Sequence, residues 1–598
     1  MPNILRGDWS LWLPHAAGDV WPILSDTKRF NELSGLPRYQ LEETAQADGS
    51  VLRIARARVA NYKVAWEELP VDWVAGEYFF QRRLFLNGPL RHMDASLTLT
   101  PEGAGTRMVY EIAIASRRPL IGPYVAGRLI NGAGRTFALA VRGADEFLSG
   151  ARPAAYELGA PVFQPGGGSR LKEIISYLQA GPYDHGLSRG LGEFLISQPD
   201  ADACHIRPKT LARQWGVDTR HAIEICLAAV RSGLLRLTWD LLCPRCRGAK
   251  LSTERLDTLQ SQAHCPSCNV DYDADFNRNV ELVFHPAAAI RVCPEGEYCM
   301  SGPQTTPHVL VQQSLAAGEC RKITATLPPG NYRLRTLARG PELDFSYDGG
   351  EFPPLSFMEG AVSICAGEAP GRLVLTNAGA LPICLVIESR EWIRDALTAH
   401  QVTTLQTFRH LFPDHVLIAG GEMSIDSVTL MFTDLQGSTA LYREIGDGPA
   451  YQKVREHFDI LTDIVRAHDG ALVKTIGDAV MAAFCRPQQA VQAAIAIQKK
   501  ISQINSANAA AVSIKMGLHY GRCIVVNLND RLDYFGTTVN LAARLQAQSR
   551  GGDIILSEEL CRDPLVGPIL DGCQSTSEAT SLKGFERPID YRRIQLAG

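Results

Sequence analysis

Along its first quarter the chain alternates apolar and polar side chains in short runs, at residues 51–59, 62–66, 77–86, 92–99 and 106–115. A period of two sends neighbouring side chains to opposite faces, so these runs predict successive strands of an antiparallel sheet. A short helix over 15–30, with Val20, Trp21, Ile23 and Leu24 apolar, precedes them, and a long helix over about 124–148 follows. Residues 151–169 contain Pro153, Pro161 and Pro165-Gly-Gly-Gly168, the composition of a linker. Residues 170–240 read as helical, and 207–226 have the cadence of a helix-turn-helix with Gly216 at the turn and a wing strand over 234–239. Alternation returns over 281–390, at 309–313, 320–326, 332–337, 372–376 and 383–388, with turns at Pro328-Pro-Gly330 and Asp348-Gly-Gly350. That pattern predicts a β-sandwich-like module. Residues 392–411 place Ile393, Leu397, Val402, Leu405 and Phe408 near one helical face, and Ala419-Gly-Gly421 follows as a hinge.

The last stretch, 423–598, has the most telling pattern. Residues 428–432 form a short apolar run that predicts a buried strand ending at Asp434. Residues 438–468 carry Val454, Phe458, Leu461 and Val465 at helical spacing. Two further apolar runs, 471–476 and 479–484, flank Gly477-Asp478, which predicts a tight hairpin with a carboxylate at its tip. Residues 512–518, ending near Gly521, and 552–556 continue the sheet. If the strands lie side by side, Asp434 and Asp478 come together at one sheet edge. Two ionised carboxylates so close repel unless cations bridge them, and hard divalent ions that also bind phosphates suit such a pair.

Composition narrows the class. At 598 residues the chain expects three to five domains, and 45% hydrophobic with 21% charged residues is the make-up of a globular protein. A net charge of −4 offers no global attraction to nucleic acid or anionic membrane. Residues 1–18 lack a basic patch ahead of an apolar core, and no apolar stretch is long enough to span a bilayer, so the expected location is the cytoplasm. Of fifteen cysteines, Cys243, Cys246, Cys265 and Cys268 form two Cys-x-x-Cys knuckles 18 residues apart. That is the spacing of a four-thiolate structural zinc site, with no coordination position left open for catalysis. His264 adjoins the cluster as a bystander, Cys293 and Cys299 do not repeat the spacing, and the other cysteines are expected as reduced core thiols.

Residues Val428-Thr-Leu-Met-Phe-Thr-Asp-Leu435, Leu472-Val-Lys-Thr-Ile-Gly-Asp-Ala-Val480 and Asp533-Tyr-Phe-Gly-Thr-Thr-Val-Asn-Leu-Ala-Ala-Arg544 together resemble the class III nucleotidyl cyclases, the adenylate and guanylate cyclase family. The resemblance runs from about 427 to 591 and implies a ferredoxin-like α/β catalytic domain. It places Asp434 and Asp478 on two Mg²⁺ or Mn²⁺ ions, Lys474 and Asp533 on the adenine, and Asn540 and Arg544 on the transition state. The residue chemistry agrees. Lysine only donates and an ionised aspartate only accepts, which complements adenine N1 and N6 and disfavours guanine. Asn540 and Arg544, four apart, share a helical face, and a guanidinium suits charge developing on phosphate. Gly437-Ser438 could open a helix toward a triphosphate, and Lys583-Gly584 could reach phosphate, although a surface lysine is the plainer reading. The family's sites form between two domains, so a chain with one such domain and both residue sets is expected to act as a symmetric homodimer that converts ATP to cyclic AMP.

Elsewhere the resemblances are coarser. Helix, strands and a long closing helix over 1–150, with Trp21-Pro-Ile-Leu-Ser-Asp-Thr-Lys-Arg-Phe30, resemble the START-like helix-grip superfamily. This implies either a cavity for an apolar small molecule or a filled core. The winged-helix-like segment (170–240), zinc ribbon (241–280) and sandwich (281–390) resemble an uncharacterised middle region of some bacterial adenylate cyclases. The expected whole is a multidomain α+β protein whose domain 423–598 is catalytic and whose segment 391–422 links it to regulatory parts. Two other readings stay open: a cyclase for GTP or a pyrimidine nucleotide, and a DNA-binding regulator that uses the cyclase domain as a nucleotide sensor. The candidate second helix of the helix-turn-helix carries Arg220, His221 and Glu224 but no basic cluster, which favours a packing adaptor over a DNA reader.

Overall fold

The computed structural model describes all residues except 1–3, 47–49, 60–61, 295, 324–326, 350–354, 359–360, 365–372, 418–421, 438–441, 444–445, 508–512, 583–584, 586 and 597–598. The hinge glycines Gly420 and Gly421, together with Ser438, Lys583 and Gly584, therefore lie outside the described residues.

The first unit comprises β1 (Ile4–Leu13), α1 (Ala17–Leu24), α2 (Thr27–Leu33), β2 (Tyr39–Ala45), β3 (Val51–Val59), β4 (Tyr62–Glu68), β5 (Asp72–Val74), β6 (Tyr78–Phe85), β7 (Leu90–Glu102), β8 (Gly105–Ser116) and α3 (Ile121–Leu148). The single helix expected over 15–30 is two. Asp26 breaks the run and caps the second by accepting from Arg29 N at 3.0 Å. Helix α3 lies on β1 and β8. Tyr110 stacks on Phe137 at 5.3 Å and meets Phe30 at 5.4 Å and Trp9 at 6.0 Å, so aromatic rings occupy the space between helix and sheet. Gly134 permits the close approach, because a Cβ there would strike the Trp9 ring.

The middle of the chain runs α4 (Gly167–Gln179), α5 (Ser188–Ser197), α6 (Asp200–Ala203), α7 (Pro208–Trp215), α8 (Thr219–Arg231), β9 (Leu235–Leu242), β10 (Ala249–Thr253), β11 (Gln262–Cys265), β12 (Val270–Asp273) and β13 (Val280–Pro286). Strands β10, β9 and β13 form one small sheet, and β11 pairs with β12. Cys204 and Cys293 form a disulfide, which corrects their expected reduced state. The chain after β13 folds back onto α6, where Arg291 also pairs with Asp200 at 2.8 Å, and this return brings the two sulfurs together.

Next come β14 (Val309–Leu315), β15 (Cys320–Ile323), β16 (Gly330–Thr336), β17 (Glu342–Tyr347), β18 (Leu355–Met358), β19 (Ala361–Ile364), β20 (Leu373–Asn377) and β21 (Ile383–Ser389). A four-stranded sheet, β15-β20-β18-β19, shares a buried core with the strands β14, β21, β16 and β17. Those four strands are not a separate sheet. Val74 and Trp73 of β5 pair with Val311 and Gln312 of β14, so the first unit and the sandwich share one 12-stranded sheet. The three-residue β5 leaves backbone groups open on its outer edge, and β14 takes them. Trp73 Nε1 donates to Val309 O at 2.9 Å across the join.

The segment expected as one helix over 392–411 is two short ones, α9 (Ala399–Thr403) and α10 (Gln406–Leu411). A capping box on Thr398 and Gln401 starts α9 late. Thr404 Oγ1 donates back to His400 O at 3.0 Å, and extended Leu405 separates the two helices.

The last unit holds β22 (Glu422–Leu435), α11 (Asp447–Ala467), β23 (Gly470–Ile476), β24 (Ala479–Phe484), α12 (Pro487–Ala507), β25 (Ile514–Leu528), β26 (Arg531–Phe535), α13 (Thr537–Gln546), β27 (Asp553–Ser557), β28 (Gln574–Thr580) and β29 (Ile589–Gln595). The sheet order is β23-β24-β22-β25-β27-β29-β28, with β26 beside β25. Met431, Val480, Ala482 and Phe484 bury one face against Val454, Leu461 and Val465 of α11 and Val491 and Ile497 of α12. Helix α13 lies on β25 and β22 on the opposite face. A Cβ at Gly517 would strike the Gln546 backbone, so glycine there lets α13 seat directly on the sheet.

Candidate active site

Strand alternation decides which face carries chemistry. On β22, Leu430 and Phe432 point away from α11 and α12, and Asp434 follows in the same phase at the strand end. On β23 simple alternation would put Lys474 on the same side as Leu472, toward the helices. A bulge between Leu472 and Lys474 resets the phase, so Lys474 pairs with Met481, whose side chain faces away from them. Asp478 sits at the hairpin tip after Gly477, whose φ of 65° suits glycine. Asp434, Lys474 and helix α13 with Asn540 and Arg544 thus belong to the face left free by α11 and α12.

The two metal-candidate acids interact. Burial first, and the Asp478 charge second, push the Asp434 carboxyl above its ordinary value. Lys515, across the ladder from Asp434, and the Gln546 side chain oppose that shift. Asp478 Oδ2 is buried without a hydrogen-bond partner among the described residues. A carboxylate oxygen buried bare, beside a second acid, fits divalent cation binding by both. Behind the hairpin, His457 of α11 is buried, its two ring nitrogens without partners among the described residues, and burial pushes it down to about 4 while Asp478 opposes. Neither Lys515, Gln546 nor His457 stood out in the sequence. Only Lys515 had a signal, since extending the predicted strand pairing would have set it opposite Asp434.

Lys474 Nζ lies 2.6 Å from Asp533 Oδ2, and Tyr534 N donates to Asp533 Oδ1 at 2.8 Å. The aspartate is buried and the lysine one-third exposed. A donor and an acceptor are thereby held side by side at the sheet edge. Helix α13 begins after Gly536, whose φ of 135° excludes most side chains. Asn540 is exposed, whereas Arg544 is half-buried with its guanidinium over the Phe585 ring at 5.6 Å and Nη1 without a partner among the described residues. Among the described residues, no hydrogen bond or ion pair joins Asp434 or Asp478 to Lys474, Asp533, Asn540 or Arg544.

In the middle of the chain, the sulfurs of Cys243, Cys246, Cys265 and Cys268 lie within 4.8 Å of one another. Three of the four residues are buried. Hydrogen bonds among the four sulfurs push the Cys246 and Cys265 thiols down and the Cys243 and Cys268 thiols up. The donor set fits zinc. His264 turns outward to Asp271 at 2.8 Å. The polar residues of α8 are engaged within the protein. Glu224 meets His185 at 2.6 Å and Thr407 Oγ1 at 2.7 Å, while Arg220 Nη1 donates to Arg466 O at 2.8 Å.

Residues 422–564 match the model of the adenylate and guanylate cyclase catalytic domain, and residues 176–295 match a family of unknown function, DUF5939. An uncharacterized protein of Mycobacterium tuberculosis strain H37Rv is 36% identical over 158 residues, 26% of this chain and 38% of the relative. Adenylate cyclase 1 of Rhizobium meliloti is 28% identical over 179 residues, 27% of each chain. The adenylate cyclase of Lachancea kluyveri is 31% identical over 159 residues, 23% of this chain and 8% of that one. Among solved structures, the adenylyl cyclase CyaB of P. aeruginosa is 25% identical and covers 30% of this chain and 97% of its own, with a TM-score of 0.27. The chain thus spans well under half the length of these curated relatives.

Proposed function

We propose, from a C-terminal domain that belongs to the adenylate and guanylate cyclase family, that the protein converts ATP to 3′,5′-cyclic AMP and pyrophosphate. The observation that carries the choice of ATP is the Lys474–Asp533 couple, a donor beside an acceptor at 2.6 Å. Opened by a base, the lysine donates to adenine N1 and the aspartate accepts from N6. In the reaction the ribose 3′-oxygen loses its proton and bonds to the α-phosphorus as the bond to the β-phosphate bridging oxygen breaks. Asp434 and Asp478 would hold two Mg²⁺ or Mn²⁺ ions, which when bound supply charge neutralisation and lower the proton affinity of the 3′-hydroxyl. Arg544 donates to the charge that gathers on the α-phosphoryl oxygens, and Asn540 orients the ribose. The carboxylate set and the Asn540–Arg544 set do not bond within one chain, which supports a site completed between two copies of the chain.

Residues 1–150 form a helix-grip unit, 170–240 a winged-helix-like adaptor, 241–280 a zinc ribbon with structural zinc on its four cysteines, and 281–390 a sandwich. The aromatic stack against α3 supports a filled core in the first unit rather than an apolar ligand. The occupied polar face of α8 supports the adaptor over a DNA-reading role. No helix among the described residues is long and apolar enough to cross a membrane.

Turnover by the purified full chain, offered ATP, GTP, CTP and UTP in Mg²⁺ and in Mn²⁺, tests the reading. ATP is expected to be preferred, with cyclic AMP and pyrophosphate formed in equal amounts. Preference for GTP or a pyrimidine nucleotide would overturn the role of Lys474 and Asp533, and absence of any cyclic product would overturn the reading altogether.

A further inference from the structure

The face of the cyclase sheet that carries Asp434 and Lys474 is not open. Leu405, Phe408 and Leu417, from the segment before β22, share one continuous buried core with Val473, Met481 and Tyr534 of that face. Helix α10 lies against β23. Polar contacts aim at the strands that deliver the base-reading couple. Gln406 Oε1 accepts from Leu472 N at 2.8 Å, two residues before Lys474. Arg409 Nη1 donates to Leu532 O at 2.9 Å, one residue before Asp533, and its guanidinium lies 5.7 Å from the Tyr534 ring centre. Thr404 Oγ1 is 2.8 Å from Cys485 Sγ, just past β24. Asn277, from the turn before β13, donates to Ser427 Oγ at 3.2 Å, and Asn527 Nδ2 donates to Leu417 O at 2.8 Å.

We infer that α10 and the middle region behind it are a built-in inhibitor, docked on the sheet face through which a second copy of the chain must pair, so that catalysis requires their release. This rests on the reading of the site as shared between two copies. The physical case is competition for one apolar surface. A sheet face buried under Phe408 and its neighbours cannot at the same time bury itself under another chain. A tethered segment acts at an effective concentration of roughly millimolar, far above that of a second chain in dilute solution. Docking therefore wins until a signal to the middle region loosens it. The Lys474–Asp533 pair, closed on itself between the two α10 anchors, is the same state seen at the base subsite.

Two variants in the full chain test this, neither touching the six site residues. In Thr404→Cys, the new thiol would stand beside Cys485, and mild oxidation is expected to bridge them, as peptide mapping would read. The bridged protein is expected to sediment as a monomer and to lose at least about tenfold in turnover, both restored by reductant, with wild type oxidised in parallel. Arg409→Ala removes one anchor and is expected to raise turnover roughly fivefold and shift sedimentation toward the dimer. Failure of the 404–485 bridge to form, or a bridged protein that pairs and turns over like its reduced form, would overturn the inference and leave the cyclase reading intact. If Arg409→Ala dimerises and the bridge prevents it, yet no nucleotide is cyclised in any form, the docking stands and the cyclase reading fails.

Discussion

Two carboxylates with buried oxygens, one in each of the two large sheets, are treated in opposite ways. Near the end of β4, Glu68 is fully buried and receives the Trp66 indole N–H, the Gln81 amide, the Ser301 hydroxyl at 3.2 Å and the Arg83 guanidinium at 3.4 Å. Every donor comes from the protein, and the group is structurally complete. At the β23–β24 hairpin, Asp478 keeps a buried oxygen beside another acid, and on α13 Arg544 keeps a buried N–H, neither with a hydrogen-bond partner among the described residues. A buried carboxylate oxygen without a partner is costly, so its persistence at Asp478, where Glu68 has both oxygens bonded, accords with a group still to be bound there.

Substitutions should separate the two cases. The largest effect belongs to Asp434→Asn, expected to lower turnover roughly 10³-fold or more, since it removes metal-dependent stabilisation worth several kcal/mol. Its thermal midpoint should stay level or rise, because one of two repelling charges is gone. A variant that is both inactive and unfolded would show that Asp434 serves the fold as Glu68 does. Glu68→Ala should behave conversely. It leaves Arg83 buried and uncompensated, at a cost of about 3–5 kcal/mol read from the denaturant midpoint.

The smallest effect sharpens the comparison at a third carboxylate. Burial alone would push Glu224 up, but hydrogen bonds from Thr407 and His185 and the Arg466 charge outweigh it and hold the group below its ordinary value near 4.5. A depressed carboxylate stabilises the fold above its unfolded pKa, and that contribution is lost as pH falls through the lower folded one. Glu224→Gln should therefore cost about 1 kcal/mol near neutrality, and the gap from the parent should close as pH drops below about 4.5. A gap independent of pH would show that Glu224 acts through packing alone.

What could be read from the sequence was local. The Gly477-Asp478 hairpin needs only two apolar runs and a turn, all within fifteen residues. Helix α11 shows itself through Val454, Leu461 and Val465, which are buried at their expected spacing. What escaped depended on distant partners or on small irregularities. The bulge at Leu472–Lys474 leaves no mark in the alternation, yet it decides which face the lysine serves. The capping box at Thr398 and the hydroxyl of Thr404 divide an apparently continuous amphipathic run into two helices. Neither the β5–β14 pairing nor the Cys204–Cys293 bond follows from any spacing, because each is made by chain that returns after a long excursion.

The β5–β14 seam has a mechanical meaning. A polypeptide begun after α3 would lack the strand against which Val311 and Gln312 zip, baring a ribbon of amides prone to self-adhesion. The first unit is for that reason a girder of the sheet it shares with the sandwich rather than a detachable ornament. One hydrogen-bonded sheet joins that unit to the sandwich, with no flexible tether at the seam.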